Sequence, residues 1–228
     1  MKIGFTGIEL PEGKVKYRDD KLEALAAKDK PKKVSPYFAE FIRDEFVQCD
    51  AIAVAAGAML DVLINDIDSL ESRLSRATEA ERPVLEKSLA QLEEEIPLCD
   101  VEFTDAEAEV LAPISPCSLK PVAQVDPGTD VNQVIQMTLA KARHMFFYTS
   151  GPQESHAWLV RLETDIVSCA SKIHTDLARG FIKGDVVRFE DYMDCHNFND
   201  CKSKGVARLE DRDYIVQPDE VIEIRFSV

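Results

Sequence analysis

The sequence predicts a mixed fold, α/β in its first part and α+β in its last part, and three patterns support this. Continuous apolar runs at Lys2–Ile8 and Cys49–Ala58 are typical of parallel strands covered on both faces. Leucine and isoleucine recur at helical spacing between residues 61 and 96. The last eight residues, VIEIRFSV, follow an alternating pattern that indicates a half-buried strand.

The predicted first domain covers residues 1–143 and contains a helical hairpin at 61–96. Two stripes of apolar residues, separated by a break at Ala77–Ala80, indicate a helix-on-helix seam. A protruding hairpin that docks a partner is the alternative interpretation. Three further elements are predicted: a helix in Phe103–Ile114 with Thr104 and Glu107 as a capping box, a strand at Lys120–Val125, and a helix in Thr129–His144.

The predicted second domain covers residues 144–228. Its predicted elements are a helix around Ile166–Ile173 and strands at Phe181–Phe189, Asp213–Gln217 and the C-terminus. In the last strand the residues expected on the apolar face are Ile222, Ile224, Phe226 and Val228. A small mixed sheet that carries one helix and is closed by a C-terminal strand suggests a β-grasp arrangement.

Length and composition restrict the class of protein. The chain has 228 residues, of which 45% are hydrophobic, enough to form one large or two small cores. No apolar run reaches the roughly 18 residues of a membrane span, and the N-terminus lacks the pattern of a signal peptide. We therefore expect a soluble, cytoplasmic protein with no membrane partner. The six cysteines have no C-x-x-C spacing, so we expect reduced thiols.

The net charge of -15 disfavours binding to nucleic-acid phosphates, and no DNA partner is expected. A local exception is the stretch Lys14–Lys33, where eight basic residues are interspersed with four acidic ones. We interpret this stretch as a solvated surface and keep an RNA-binding patch as the alternative.

Histidines and cysteines offer two weaker candidates. Cys195, His196 and Cys201 are close in sequence, and a metal site there needs a fourth ligand such as His174. Because this spacing is not a closed metal motif, no metal site is predicted. A catalytic role is the other candidate, but no triad pattern is visible in the four histidines, His144, His156, His174 and His196.

Three blocks of the last third resemble a known family: TSGPQESHAW at 149–158, IHTDLARGFIKGDVVRF at 173–189 and RDYIVQPDEVIEIRFSV at 212–228. They look like the C-terminal TGS domain of the YchF-type Obg-like ATPases, a branch of the translation-factor GTPase class. The resemblance implies that the first domain is a reduced P-loop-like parallel sheet whose hairpin resembles the coiled-coil insertion of the family. It also implies that Tyr37–Ala58 forms a helix followed by the buried strand.

The nucleotide motifs of that family are altered in this chain. A phosphate-binding loop has the pattern G-x-x-x-x-G-K-[ST], in which backbone N–H groups and the lysine bind phosphates and the hydroxyl binds magnesium. Here the loop reads GIELPEGKV: five residues separate Gly7 from Gly13, and Val15 follows Lys14. The Asp-x-x-Gly motif and the base-reading asparagine motif are missing as well.

The sequence therefore favours a relative of the Obg-like ATPases that does not hydrolyse nucleotides, has no cofactor, and acts as a binding or regulatory module. A protein or ribosome is the expected partner, and RNA is a second candidate. The alternative is a protein that binds ATP or GTP with magnesium through a remodelled loop at Gly7, Gly13 and Lys14. In the TGS-like block the binding candidates are His174, Asp176, Arg179 and Lys183, for which a fold-shaping role is the alternative.

Overall fold

The computed structural model describes residues 1–227, which form two compact units. The first unit contains residues 1–15 and 38–142, and the second contains residues 16–37 together with the chain from residue 143 onward. Val228, predicted on the apolar face of the last strand, lies outside the described residues. None of the helices found in residues 1–227 has the length and apolarity needed to span a membrane.

The elements are, in chain order, β1 (Lys2–Thr6), β2 (Gly13–Lys16), α1 (Asp20–Asp29), β3 (Lys33–Ser35), β4 (Phe38–Arg43), β5 (Ala51–Ala55), α2 (Met59–Leu74), α3 (Arg82–Glu93), α4 (Asp105–Leu111), β6 (Val122–Val125), α5 (Val131–Lys141), β7 (His144–Ser150), β8 (Glu154–Arg161), α6 (Ile166–Ile173), α7 (Thr175–Arg179), β9 (Phe181–Arg188), α8 (Phe189–Met193), α9 (Phe198–Ser203), β10 (Arg208–Glu210) and β11 (Glu220–Phe226). Two 3₁₀ turns lie at Leu98–Asp100 and Cys117–Leu119. The predicted mixed α/β fold class is confirmed.

The first unit is built on a five-stranded sheet in the order β2-β4-β1-β5-β6. β1 is parallel to both β4 and β5, and β5 is parallel to β6. Every residue of β5 is buried, as expected for a strand covered on both faces. The chain builds one side of β1 first and then the other, so the carboxyl end of β1 is a topological switch point, where ligands bind in open α/β sheets.

The segment after Tyr37 is a strand, so the helix implied there by the family resemblance is wrong. In β4 the side chains of Ala39 and Phe41 are buried, while Glu40 between them is only half-buried. This alternation has the period of a strand, and β4 pairs with β1 from Lys2 opposite Glu40 onward.

The helical hairpin consists of α2 and α3, whose apolar residues face a shared core. Leu63, Leu70, Leu85 and Leu92 have almost no exposed surface. Pro83 lies at the start of α3, where its missing N–H leaves no hydrogen bond unmade. The predicted capping box is also present at the next helix: the Thr104 hydroxyl accepts from the Glu107 N–H, and the Glu107 carboxylate accepts from the Thr104 N–H.

The second unit contains a six-stranded sheet in the order β10-β9-β11-β7-β8-β3. β7 and β8 form an antiparallel hairpin, α6 follows, and β11 lies between β9 and β7, antiparallel to β9 and parallel to β7. A hairpin, a crossing helix and a last strand inserted beside the first are the predicted β-grasp arrangement. One face of the sheet packs on α6, and the opposite face packs on α1, α8 and α9.

Residues 16–37 belong to the second unit, whereas the sequence-based division at residue 143 puts them in the first. Leu22 and Leu25 of α1 are buried in a core with Tyr148 and Val221. β3 pairs in parallel with β8 and adds an edge strand. More than 100 residues of sequence separate α1 and β3 from the strands that they contact. Short-range sequence patterns cannot predict contacts over such a distance.

The layer formed by α1 also explains a detail of the last strand. Alternation predicts Val221 on the polar side of β11, yet this side chain is fully buried because α1 and α8 cover that face. The predicted apolar face becomes exposed toward the C-terminus: Ile222 is buried, Ile224 is half-buried and Phe226 is 45% exposed.

The predicted strand at Asp213–Gln217 is wrong. Within the described residues this segment forms one isolated antiparallel β-bridge, between Asp165 and Ile215. The edge position beside β9 is taken by β10, whose residue Leu209 pairs with Asp185. DYIVQ has the composition of a strand, but Val216 is buried in the core below α6 as part of a loop.

Candidate functional site

The loop after β1 is the first candidate, because it stands where the resembled family binds phosphate. Gly7 begins the loop with a φ of +71°, a conformation that side chains other than glycine rarely adopt. A Cβ at Gly7 would lie 2.5 Å from the Cβ of Ala58, so this position requires glycine for steric reasons too. Gly13 also has a positive φ, but no atom lies within 4 Å of a Cβ built there.

The loop runs into β2, an exposed strand, and not into a helix. A phosphate-binding loop uses the N–H groups of a helix N-terminus, and this arrangement is absent at Gly13. Val15 occupies the place of the magnesium-binding hydroxyl. The acids Glu9 and Glu12 both pair with Arg43, at 3.2 and 3.4 Å. The loop therefore lacks two features of a phosphate-binding loop, the helix N-terminus and the hydroxyl. Lys14 is exposed and has no ion pair within residues 1–227.

A crevice of about 610 Å³ lies where β1 and β4 end. Its lining includes Thr6 at the end of β1, the turn from Asp44 to Val47 after β4, and Asp61, Ile64 and Asn65 at the start of α2. This is the switch point of the sheet, the usual place for a ligand in this class of fold. The charged side chains that line the crevice are acidic: Asp44, Glu45 and Asp61.

The binding candidates in the second unit form two groups. His174, Asp176 and Arg179 lie together at the turn between α6 and α7. The Asp176 N–H donates to Nδ1 of His174 at 3.1 Å, and Arg179 pairs with the Asp176 carboxylate at 2.9 Å. Lys183 lies on β9 and pairs with Asp211 instead. The first three residues therefore cap and stabilise a short helix, and their exposure also leaves them available to a partner.

The histidines and cysteines do not assemble into a site. Among residues 1–227 no group of three or more His, Cys, Asp or Glu is arranged to hold a metal ion. Cys195 and Cys201 are buried, and burial raises the pKa of the Cys201 thiol to about 12. His156 stacks on Trp158 with ring centroids 3.5 Å apart, and burial lowers the pKa of its imidazole despite the nearby Glu154.

A buried carboxylate in the β-grasp sheet was not anticipated from the sequence. Asp185 is only 2% exposed. Its carboxylate accepts two hydrogen bonds of 2.7 Å from Arg225 and forms an ion pair with Lys202 at 3.0 Å. Burial opposes ionisation, but these two cations outweigh it and lower the pKa of Asp185. The sequence feature that could have predicted this site is a single acid inside the apolar strand segment GDVVR. A buried acid needs a charged or hydrogen-bonding partner, here on a neighbouring strand.

The two units define a fold class: a parallel α/β sheet with a helical hairpin, and a β-grasp sheet. Residues 145–227 match the YchF-GTPase C-terminal family model, whose description is "Protein of unknown function (DUF933)". The solved structure of the Schizosaccharomyces pombe YchF GTPase superposes with a TM-score of 0.77 over 99% of this chain and 97% of that chain. At 14% identity this likeness shows the fold alone.

Two curated relatives carry the sequence similarity. The ribosome-binding ATPase YchF of Haemophilus influenzae is 37% identical over 103 residues, which are 45% of this chain and 28% of that protein. The human Obg-like ATPase 1 is 35% identical over 95 residues, 42% of this chain and 24% of that protein. The chain therefore matches less than a third of the length of these relatives. The chain is thus similar to YchF-type proteins, and the family model matches its last 83 described residues, 145–227.

Proposed function

We propose that this chain is a non-hydrolysing member of the family that acts as a binding or regulatory module associated with the ribosome. One observation carries the proposal: the loop after β1 leads into the exposed strand β2, with Val15 in place of the hydroxyl that binds magnesium. Without a helix N-terminus and that hydroxyl, the loop lacks the groups that hold and polarise a terminal phosphate.

We propose the ribosome as the partner because a similar protein, from Haemophilus influenzae, is named a ribosome-binding ATPase. Residues 145–227, which match the YchF-GTPase C-terminal family model, belong to the β-grasp unit, the TGS-like part of the proposal. We propose that this unit contacts the ribosome or a ribosome-bound protein, in the cytoplasm, through the exposed residues His174 and Arg179 and the half-buried Lys183. RNA is the second candidate for that contact.

The test of the binding role is co-sedimentation of the purified protein with ribosomes. We expect the wild-type protein in the ribosomal pellet and a reduced fraction for the Arg179→Ala/Lys183→Ala variant. Arg143→Ala is a matched control, because Arg143 is similarly exposed and forms a surface ion pair with Glu163 in the same unit. Absence of the wild-type protein from the pellet would exclude the ribosome as partner.

The alternative function is ATP or GTP binding through a remodelled loop. It is favoured by Lys14, which is exposed and unpaired in the described chain, and by the left-handed backbone of Gly7 and Gly13. Calorimetric titration with ATP and with GTP, each with magnesium, separates the two functions. The main proposal predicts no saturable heat. Saturable binding that is lost in Lys14→Ala but kept in Lys16→Ala, a control on the same strand, would establish the alternative.

A further inference from the structure

The charge of the protein is concentrated in one unit. The first unit contains 9 Lys and Arg against 23 Asp and Glu, a net charge of -14, whereas the second contains 18 against 19, a net charge of -1. Almost the whole net charge of -15 therefore surrounds the parallel sheet. A field of this sign attracts cationic partners and repels phosphates.

Within the first unit, the crevice at the end of β1 has carboxylates that no cation neutralises. In residues 1–227, no Lys, Arg or His nitrogen lies within salt-bridge distance of Asp44 or Asp61, and both residues are exposed. Glu45 accepts hydrogen bonds from the N–H groups of Val47 and Gln48 and so stabilises the turn. Lys120 is nearby, but its ammonium group binds the carbonyl oxygens of Phe46 and Val47.

A mostly buried threonine also lines the crevice. Thr6 is only 6% exposed and lines the crevice, and its side chain makes no hydrogen bond within the described residues. Because Thr6 borders the crevice and its hydroxyl has no partner in residues 1–227, this hydroxyl is available to a group that enters from solvent. This observation is independent of the acidic residues.

Apolar side chains complete the surface. Val47 and Ile64 both line the crevice and are 74% and 51% exposed. Leu60 is 48% exposed and precedes Ile64 by one helical turn on α2. Exposed aliphatic residues grouped around uncompensated carboxylates match a partner segment with both basic and apolar side chains.

We propose that the crevice bordered by Thr6, Asp44, Val47, Asp61 and Ile64 docks a basic, partly apolar peptide segment of a protein partner. An Arg or Lys side chain binds the carboxylates of Asp44 and Asp61 and donates to the Thr6 hydroxyl, while an apolar neighbour packs on Val47 and Ile64. The proposal deepens the binding-module function and rests on it for the cellular role. It places a cation at the switch point, where nucleotide-binding relatives of this fold class would receive an anion.

The experiment is a fluorescence-anisotropy titration of the full chain with a short labelled peptide of repeating Lys-Leu-Arg-Leu, its termini blocked. A peptide with Glu in place of every Lys and Arg is the negative control. The test variant is Asp44→Asn/Asp61→Asn. Asparagine tolerates the left-handed backbone of Asp44, where φ is +51°, so the variant should fold. The charge-matched control is Asp105→Asn/Asp126→Asn, two exposed acids of the same unit outside the crevice.

We expect the test variant to weaken peptide binding by about tenfold or more, and the charge-matched control by about twofold at most. Val47→Ser/Ile64→Ser should also weaken binding without changing the charge. If the test variant and the charge-matched control lost the same amount of peptide affinity, the effect would be due to the net charge of the unit and the proposal would be overturned. Binding of the Glu peptide as tightly as the basic peptide would also overturn it. The ribosome experiment is separate: wild-type protein missing from the pellet contradicts the proposed function, whatever the peptide titration shows.

Discussion

The two units of this protein differ in the way the chain builds them and in their charge. The first is a parallel sheet with a net charge of -14, and the second is a β-grasp sheet with a net charge of -1. The second unit is also completed by a segment from far upstream, residues 16–37, which brings seven Lys and Arg with it. Assigning this segment to the second unit takes 7 of the 16 Lys and Arg of residues 1–142 out of the first unit. The net charges of the two parts change from -11 and -4 to -14 and -1.

The segment is held by buried contacts of two kinds. Leu22 and Leu25 enter the core, and Asp19 accepts hydrogen bonds of 3.1 and 3.0 Å from the hydroxyl of Tyr148. At the other end of α1, the carboxylate of Asp29 accepts hydrogen bonds from Ser150 and Tyr192. The β-grasp unit of this chain therefore depends on its N-terminal segment, and the following predictions test this dependence and the charge difference.

The largest effect is expected for Leu25→Ala. Leu25 is fully buried, so the lost contacts and the resulting cavity should cost about 2 to 5 kcal/mol of unfolding free energy. Urea denaturation measures the total loss, and amide hydrogen exchange in β7 and β11 locates it in the second unit. Leu209→Ala, at a position that is 51% exposed in the same unit, is the matched control and should change stability little. Destabilisation confined to the amides of α1 would show that the segment is dispensable.

The next effect is expected for Asp185→Asn, which removes a buried negative charge from beside Arg225 and Lys202. Because both cations are partly exposed and can return to water, we expect a loss of about 1 to 3 kcal/mol near neutral pH. The lowered pKa of Asp185 means that its contribution is present above the ordinary Asp pKa of about 4 and disappears as the pH falls through the lower, folded value. Urea midpoints of the two proteins should therefore converge in acid. A difference that does not depend on pH would indicate a steric effect.

A smaller effect is expected for Thr104→Ala in the first unit. The substitution removes the hydroxyl that accepts from the Glu107 N–H, which should cost about 1 kcal/mol. The loss should appear in the hydrogen exchange of α4 and leave the β-grasp amides unchanged. Thr104→Ser retains the hydroxyl and should restore most of the stability, which a change in packing alone would not do.

The smallest effect is expected from salt. Raising the ionic strength from about 0.01 M to about 0.5 M shortens the screening length severalfold and weakens repulsion among the acids of the first unit. Amide protection in β1 and β5 should rise by less than about 1 kcal/mol, and protection in β7 and β9 should change less. Equal changes in both sheets would show that the charge difference has no consequence for stability.

Local patterns in the sequence were sufficient for many elements. The buried runs at β1 and β5, the hairpin of α2 and α3, the capping box of α4 and the helix α6 lie where periodicity and capping predict them. These signals are short-range: a strand or helix displays its buried face within a few residues. The altered GIELPEGKV loop was also recognisable in the sequence, because the required residue types are contiguous.

Only the tertiary structure decided the position of residues 16–37, the strand β4 and the acidic crevice. β4 forms beside β1, and β3 forms beside β8, across separations at which sequence periodicity carries no information. Likewise, Asp44 and Asp61 belong to different elements and meet at one crevice only because β4 and α2 adjoin the end of β1. Sequence determined which segments can be strands or helices, whereas long-range pairing and the covering of both sheet faces determined which unit each segment completes.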